Sequence, residues 1–342
     1  MSPDPERIVA VGLLSGGLDS ALASRLVAAQ GVEVIGYHLR TPFTAGDDGA
    51  ARRARAIAGH LGIPCVVDDA GDEYIRLVRE PRFGRGTAMN PCLDCHIFMV
   101  RRAAALAGEK GAAFVFTGEV LGQRPMSQRR SQLEMVEREA GLSGRLLRPL
   151  SARLLPPTEA EREGWVDRAR LLDLQGRARR RQQELAAAWG ITGYANPAGG
   201  CLLTDRNFGA RLADAFAHGE DAPGELALLR VGRHFRLPSG AKVIVGRDEA
   251  ENAVLAEHLA PGATAFEVLD VGSPVALLLR GSDADWPKAA ALALAYSDRK
   301  GAADGRARIW DRTGEVGTAA VRAEDAAARD EWYVGPAPKK RP

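Results

Sequence analysis

Short apolar runs alternate with amphipathic stretches through the first part of the chain. "RIVAVGLL" (residues 7–14) is apolar without a period-two alternation, the pattern of a strand buried on both faces. "SALASRLVAAQG" (20–31) follows with Leu22, Leu26 and Ala29 at helical spacing and closes on a glycine. "VEVIGYHL" (32–39) predicts a second strand, "GAARRARAIAGHLG" (49–62) a helix through Ala54, Ile57, Ala58 and Leu61, and "IPCVVDD" (63–69) a third strand. A helix is expected over roughly 96–108, and "AAFVFTGE" (112–119) supplies a fourth strand. Strands alternating with helices predict an α/β fold, a doubly wound parallel sheet whose ligands sit beyond the carboxyl ends of the strands.

Beyond Asp205 the pattern changes. "HFRLPSGAKVIVGRDEAEN" (234–252) reads as two short strands around Ser239 and Gly240, then a helix, as expected of a smaller α+β domain. The expected division is residues 1–204, 205–301 and 302–342, the last a loosely packed extension ending in the basic "GPAPKKRP".

With 342 residues and 46% hydrophobic content, the chain can bury the cores of about two ordinary domains. No apolar stretch approaches the roughly 20 residues of a membrane span, and the first residues lack the order of a secretory signal, so a cytoplasmic protein is expected. Four cysteines are too few for a disulfide scaffold, which turns attention to metal binding or redox chemistry. The net charge of +2 selects no partner, although Arg177, Arg179, Arg180 and Arg181 form a local basic cluster.

The chemistry begins at "LLSGGLDSALA" (13–23), where the first strand hands over to the first helix. Unpaired backbone N–H groups and the helix dipole favour an anion there, Gly16 and Gly17 allow close backbone approach, and Ser15 and Ser20 add donors. This is a phosphate cradle, and it is not the loop that ends in Gly-Lys-Ser/Thr, because no lysine follows Gly17. "NPCLDCH" (90–96) places Cys92 and Cys95 at the two-residue gap that lets both thiolates reach one metal centre, and "NPAGGCLLTD" (196–205) adds Cys201. Cys65, inside the third strand, reads as core.

"SGGLDS" resembles the pyrophosphate loop of the N-type ATP pyrophosphatases, which cleave ATP between the α and β phosphates and adenylylate their substrate. The resemblance assigns Ser15, Gly16, Gly17, Asp19 and Ser20 to ATP, Asp19 also to Mg2+, and puts the end of the second strand at the adenosine. His38 there reads equally as an ordinary strand-end histidine. Cys95 and Cys201 match the two cysteines of the tRNA 2-thiouridylases, which carry sulfur as a persulfide, and "GRARRRQQELAAAWGI" (176–191) resembles the helix preceding the second of them. Cys92, Cys95 and Cys201 together match the three ligands of the cluster-dependent thiolases, and Cys92 favours that reading, a [4Fe–4S] cluster with one open iron. "FTGEVLGQRPMSQ" (116–128) resembles a stretch of the tRNA 4-thiouridine synthetases, which implies nucleotide contacts for Thr117, Gly118 and Glu119 and ATP or RNA contacts for Gln123, Ser127 and Gln128.

The carboxyl-terminal segments 234–252 and 289–301 resemble the RNA-binding domain of the NFACT family through Arg247, Asn252, Tyr296 and Ser297. With the arginines at 177–181, Arg247 is a candidate RNA contact. The resemblances together imply an ATP-dependent tRNA sulfurtransferase that adenylylates a uridine-type base, with a separate sulfur donor as partner. Two other classes share some of these features: a pyrophosphatase acting on a small molecule, and a non-catalytic RNA-binding protein. A structural zinc site through Cys65, Cys92, Cys95 and Cys201 is a further use of the thiols.

Overall fold

The structure, a computed structural model, describes residues 8–43, 49–194 and 201–336. It divides into two compact units between Thr204 and Asp205. In the first, the elements run β1 (Val9–Leu13), α1 (Leu18–Ala28), β2 (Glu33–Arg40), α2 (Gly49–Leu61), β3 (Cys65–Asp69), α3 (Gly71–Arg79), α4 (Cys92–Glu109), β4 (Phe114–Phe116), α5 (Arg130–Glu139), β5 (Leu146–Leu147), α6 (Glu159–Arg162) and α7 (Arg180–Ala188).

The five strands form one parallel sheet in the order β3-β2-β1-β4-β5. β1 lies at its centre, and Ala10 and Val11 are wholly buried, as an apolar run without alternation requires. β2 and β3 extend the sheet to one side and β4 and β5 to the other, so the winding reverses between β1 and β4. A crevice opens at the carboxyl ends of strands flanking such a reversal.

Three features depart from the sequence pattern. The helix expected from residue 96 begins at Cys92, because Pro91 supplies the carbonyl for Cys95 N at 2.9 Å and Asp94 accepts from Arg82 N and Phe83 N at 2.9 and 3.1 Å. Both cysteines of the pair therefore lie in its first turn. α3 was not apparent, since its strongly charged sequence carries only Tyr74, Ile75 and Val78 to the core. β5 has two residues, too few to display a period.

The second unit contains α8 (Arg206–Ala217), α9 (Pro223–Leu228), β6 (Arg233–Arg236), β7 (Lys242–Val245), α10 (Glu249–Glu257), β8 (Thr264–Val268), β9 (Ala276–Leu279), α11 (Trp286–Ala295), β10 (Asp304–Asp311), β11 (Gly314–Arg322) and α12 (Arg329–Trp332). Its six strands form an antiparallel sheet in the order β11-β10-β8-β9-β7-β6. Alternation sorts the side chains: Val243, Val245, Phe266 and Leu278 join the Ala-rich α11 in one core, while Ile244, Ala265 and Leu277 join a smaller one with Leu228 and Leu255. The segment 302–342 was expected to be a loosely packed extension; in its described part, residues 302–336, β10 and β11 instead complete the sheet, with Ala307, Ile309 and Val321 buried. Their small and charged residues conceal a strand pair because only one face is covered. The basic end "PKKRP" lies outside the described residues.

Candidate nucleotide and thiol site

The loop after β1 is held by its own hydroxyls. Ser20 Oγ donates to Gly17 O at 2.9 Å and accepts from Ser15 N at 3.2 Å, while Ser15 Oγ accepts from Gly17 N at 3.3 Å. Gly16 has φ +77°, and its Cα stands so near α2 that a side chain would meet Arg53 Cβ at 3.0 Å. Gly17 precedes α1 as its N-cap and supplies no side-chain cap, so the first backbone N–H groups of the helix stay available to an anion.

Asp19 lies in the first turn of α1. Its Oδ2 accepts from Arg179 Nη2 at 3.0 Å and Gln123 Nε2 at 3.3 Å, whereas Oδ1 is buried with no hydrogen-bond partner. A buried carboxylate oxygen left unpaired beside a helix amino terminus suits a cation that accompanies phosphate groups. Arg179, expected among the RNA-facing arginines, is instead directed at this loop, and its Nε is also buried without a partner. Arg177 is exposed, while the exposed Arg180 and Arg181 pair with Glu184 and Asp173, both at 2.9 Å. Arg247 is exposed in the second unit and ion-paired to Glu251.

The loop after β4 faces the same crevice. Gly118 packs so closely on α1 that a Cβ there would lie 2.6 Å from Asp19 C and Ser20 N. Thr117 and Glu119, expected at the nucleotide, are buried: Thr117 Oγ1 donates to Glu119 Oε2 at 3.0 Å, and Arg148 Nε donates to the same oxygen at 3.0 Å. His38 is buried too, its Nδ1 donating to Leu14 O at 2.8 Å, which fastens the end of β2 to that of β1.

Glu119 connects this loop to the cysteines, since its Oε1 pairs with His96 Nδ1 at 2.9 Å. His96 stands one helical turn from Cys92 on α4. Burial opposes ionisation of Glu119, but the Arg148 and His96 charges prevail and hold its carboxyl at about 2. Burial likewise opposes the His96 cation, yet bonds and charge from Cys92 and Glu119 raise its pKa to about 9. Cys92 responds in kind: burial alone would raise its thiol, whereas His96, Ser127 and Arg124 bring it down to about 7. The Ser127 hydroxyl beside it is buried.

Cys95 has a different environment. Tyr74 Oη donates to its Sγ at 2.9 Å, and burial, reinforced by Cys201, Cys92 and Asp94, pushes the thiol up to about 12. Cys201 is exposed, and burial of its thiol with the nearby Cys92 raises its pKa. The three thiols thus fall within one another's electrostatic reach, around Tyr74. Among the described residues, no group of three or more His, Cys, Asp and Glu side chains is placed to hold a metal ion. The Cys95 sulfur accepts from Tyr74, and Cys92 faces His96. Cys65 is half-buried in β3 against the core.

Sequence reasoning missed His96 and Arg148. The signal for His96 was present, a cysteine and a histidine four apart on one helix; nothing local marks Arg148, which reaches Glu119 from beyond β5. Gln123 and Asp19 are brought together, and the Gln128 backbone closes its loop by accepting from Gly122 N at 2.6 Å.

Residues 7–136 match the tRNA methyl transferase HUP domain, and residues 232–333 match the NFACT protein RNA binding domain. The tRNA-specific 2-thiouridylase MnmA of Syntrophotalea carbinolica is 36% identical over 114 residues, 31% of this chain and 32% of that protein. Its counterpart in Corynebacterium kroppenstedtii is 38% identical over 99 residues, 24% and 26% of the two chains. A solved 4-thiouridine synthetase–RNA complex with bound ATP is 29% identical, with a TM-score of 0.35 over 42% of this chain and 37% of that one. The chain spans about a third of the length of the curated relatives it matches. No helix among the described residues is long and apolar enough to cross a membrane. The chain is thus similar to the tRNA methyl transferase HUP domain over residues 7–136 and to the NFACT protein RNA binding domain over residues 232–333.

Proposed function

We propose that the protein is an ATP-dependent tRNA sulfurtransferase. The observation that carries this reading is a continuous chain of contacts: Gly118 against Asp19 and Ser20, then Glu119 to His96, then His96 beside Cys92. It ties the phosphate cradle and the thiol turn to one crevice, as a reaction that activates a base and then replaces its oxygen by sulfur requires.

ATP docks with its phosphates on the Ser15–Ser20 loop and the amino terminus of α1. Mg2+, held at Asp19 Oδ1, would supply charge neutralisation at the phosphates. The oxygen of a uridine-type base attacks the α-phosphorus, the bond to the β-phosphate breaks, and pyrophosphate leaves. Backbone N–H groups and Arg179 stabilise the charge that grows on the phosphates. The terminal sulfur of a cysteine persulfide then attacks the activated carbon and displaces AMP. A second thiol cleaves the resulting S–S bond, which frees the thiolated base and leaves a protein disulfide for an external dithiol to reduce. The match at residues 232–333 supports RNA over a small molecule as substrate. An iron–sulfur cluster at Cys92, Cys95 and Cys201 is the competing sulfur carrier, and iron analysis after anaerobic purification distinguishes the two.

The test compares the nucleosides of tRNA from cells with and without the gene by mass spectrometry, and measures pyrophosphate release with purified tRNA. Loss of one thiolated nucleoside on deletion, restored by the wild-type gene and not by Asp19→Ala, is expected. An unchanged nucleoside profile overturns the tRNA reading.

A further inference from the structure

We propose that the second unit holds an unpaired RNA nucleotide at its sheet edge, with the base against Tyr333 and the adjoining phosphate at Arg233 and Arg247. The inference rests on the RNA-substrate reading above, and it names the surface within residues 232–333 that takes the strand.

A repeated tripeptide builds the charged half. Val231-Gly232-Arg233 leads into β6 and Val245-Gly246-Arg247 leads out of β7. The antiparallel register sets Arg233 against Val245, so the two turns lie side by side. Gly232 has φ +70°, and a side chain there would meet Val245 O at 2.7 Å, which shows how closely the backbones approach. Glu251 Oε2 clasps both turns, accepting from Gly232 N at 3.1 Å and from Arg247 N at 2.9 Å. Arg233 Nη1 donates to Gly246 O at 3.2 Å, and the buried Arg211 donates through Nη2 to Gly232 O at 2.9 Å. Two guanidinium groups are thereby fixed at one pair of turns. Glu251 also engages Nε and Nη2 of Arg247, whose Nη1 meets no acceptor among the described residues. Besides Glu251, the exposed Asp248 stands next to Arg247 in sequence, its Oδ1 already accepting from Glu251 N at 3.0 Å.

The aromatic half lies on the face of β6 that Arg233 and Phe235 share. Phe235 is wholly buried, with the ring of Tyr296 at 5.9 Å and that of Tyr333 at 5.7 Å. The Arg233 guanidinium stands 4.7 Å from the centre of the Tyr296 ring. Tyr333 is pinned by its bridge to Phe235 and by Val334 N, which donates to His234 O at 2.8 Å. Even so it is 40% exposed, and it lies within reach of the Arg247 charge.

An aromatic ring held in water on a fixed backbone, close to two guanidinium groups, matches one nucleotide. Every base offers a π-face to the ring, and its phosphate meets the arginines. Duplex RNA cannot use the ring, because its bases are already stacked on one another.

The experiment irradiates the full chain, without ATP, on a short oligouridylate carrying one 5-iodouridine, and maps the cross-linked peptide by mass spectrometry. Fluorescence anisotropy at several salt concentrations then compares the oligouridylate with an RNA duplex of the same length. A cross-link at Tyr333 is expected, with the single strand bound about tenfold more tightly than the duplex. Tyr333→Ala should weaken single-strand binding about tenfold and Tyr333→Phe should restore it, while Arg247→Ala should lower the slope of log K against log salt by about 0.7. Cross-linking the wild-type chain needs no variant, so a Tyr333→Ala chain that misfolds leaves the test intact. Cross-links confined to other residues, equal affinity for strand and duplex, or unchanged affinity in folded Tyr333→Ala overturns the proposal. A cross-link at Tyr333 with an unchanged tRNA nucleoside profile on gene deletion sinks the sulfurtransferase reading and spares this one; a lost nucleoside without that cross-link does the reverse.

Discussion

Arg179 Nη2 stands 3.0 Å from Asp19 Oδ2 and joins the approach to α7 to the first turn of α1 across 160 residues of sequence. The pair places a cation over the phosphate cradle while the other Asp19 oxygen stays unpaired. Nucleotide binding would draw Asp19 toward the accompanying metal and offer Arg179 the phosphates in its place.

Arg179→Ala should therefore weaken ATP binding roughly tenfold, since a charge-assisted hydrogen bond contributes about 1.5 kcal/mol. Stability should change by less than about 1 kcal/mol, because the pair is partly exposed. Isothermal titration with ATP and Mg2+, beside a urea melt, checks both expectations. Unchanged affinity would remove Arg179 from the nucleotide site.

Gly118→Ala places a methyl group 2.6 Å from backbone atoms of Asp19 and Ser20, which have no flexible end to give way. The overlap should cost about 2 kcal/mol and displace the first turn of α1. A fall in the urea midpoint together with weaker ATP binding is expected; a variant with wild-type values for both would show that the loop after β4 does not set the cradle.

Glu119→Gln removes the carboxylate shared by His96 and Arg148, and should destabilise the fold by roughly 3 kcal/mol at neutral pH, as breaking a buried ion pair does. The sign of its pH dependence is definite. Because the folded-state pKa is depressed to about 2, the Glu119 contribution is full above the ordinary carboxylate range and is lost as pH falls through that value. On the order of 2 kcal/mol of the stability lost between pH 7 and pH 3 should vanish in the variant. His96 acts oppositely: its raised pKa contributes below pH 6.5 and that contribution is lost as pH rises through about 9. Cys92, depressed to about 7, gains over the same alkaline interval, so the two offset there. Urea unfolding of both proteins from pH 3 to 9 measures these slopes.

Arg177→Ala should weaken tRNA binding evenly across tRNA sequences and lower the slope of log K against log salt by about 1, as expected for loss of a phosphate contact. Arg177 is exposed, so its replacement leaves the fold intact. Filter binding at several salt concentrations decides; an unaltered slope excludes Arg177 from the RNA surface.

Local sequence by itself determined the parallel α/β core and the phosphate cradle. Both follow from interactions within a few residues: a run of apolar side chains that only a doubly covered strand can bury, and glycines and serines placed where a helix begins. It also marked the cysteines, whose spacing is a property of the chain. What each cysteine does was decided by the tertiary structure, because a thiol's reactivity depends on the field around it and that field comes from distant residues. Tyr74 on α3 accounts for Cys95, while Arg148 beyond β5 fixes Glu119, which fixes His96 beside Cys92. The assignment of Arg179 changed for the same reason: four neighbouring arginines look alike in sequence, but folding turns one of them inward to Asp19. The strand pair β10 and β11 escaped notice because a sheet edge covered on one face needs few apolar residues, and only its partner β8 supplies the missing half of the pattern.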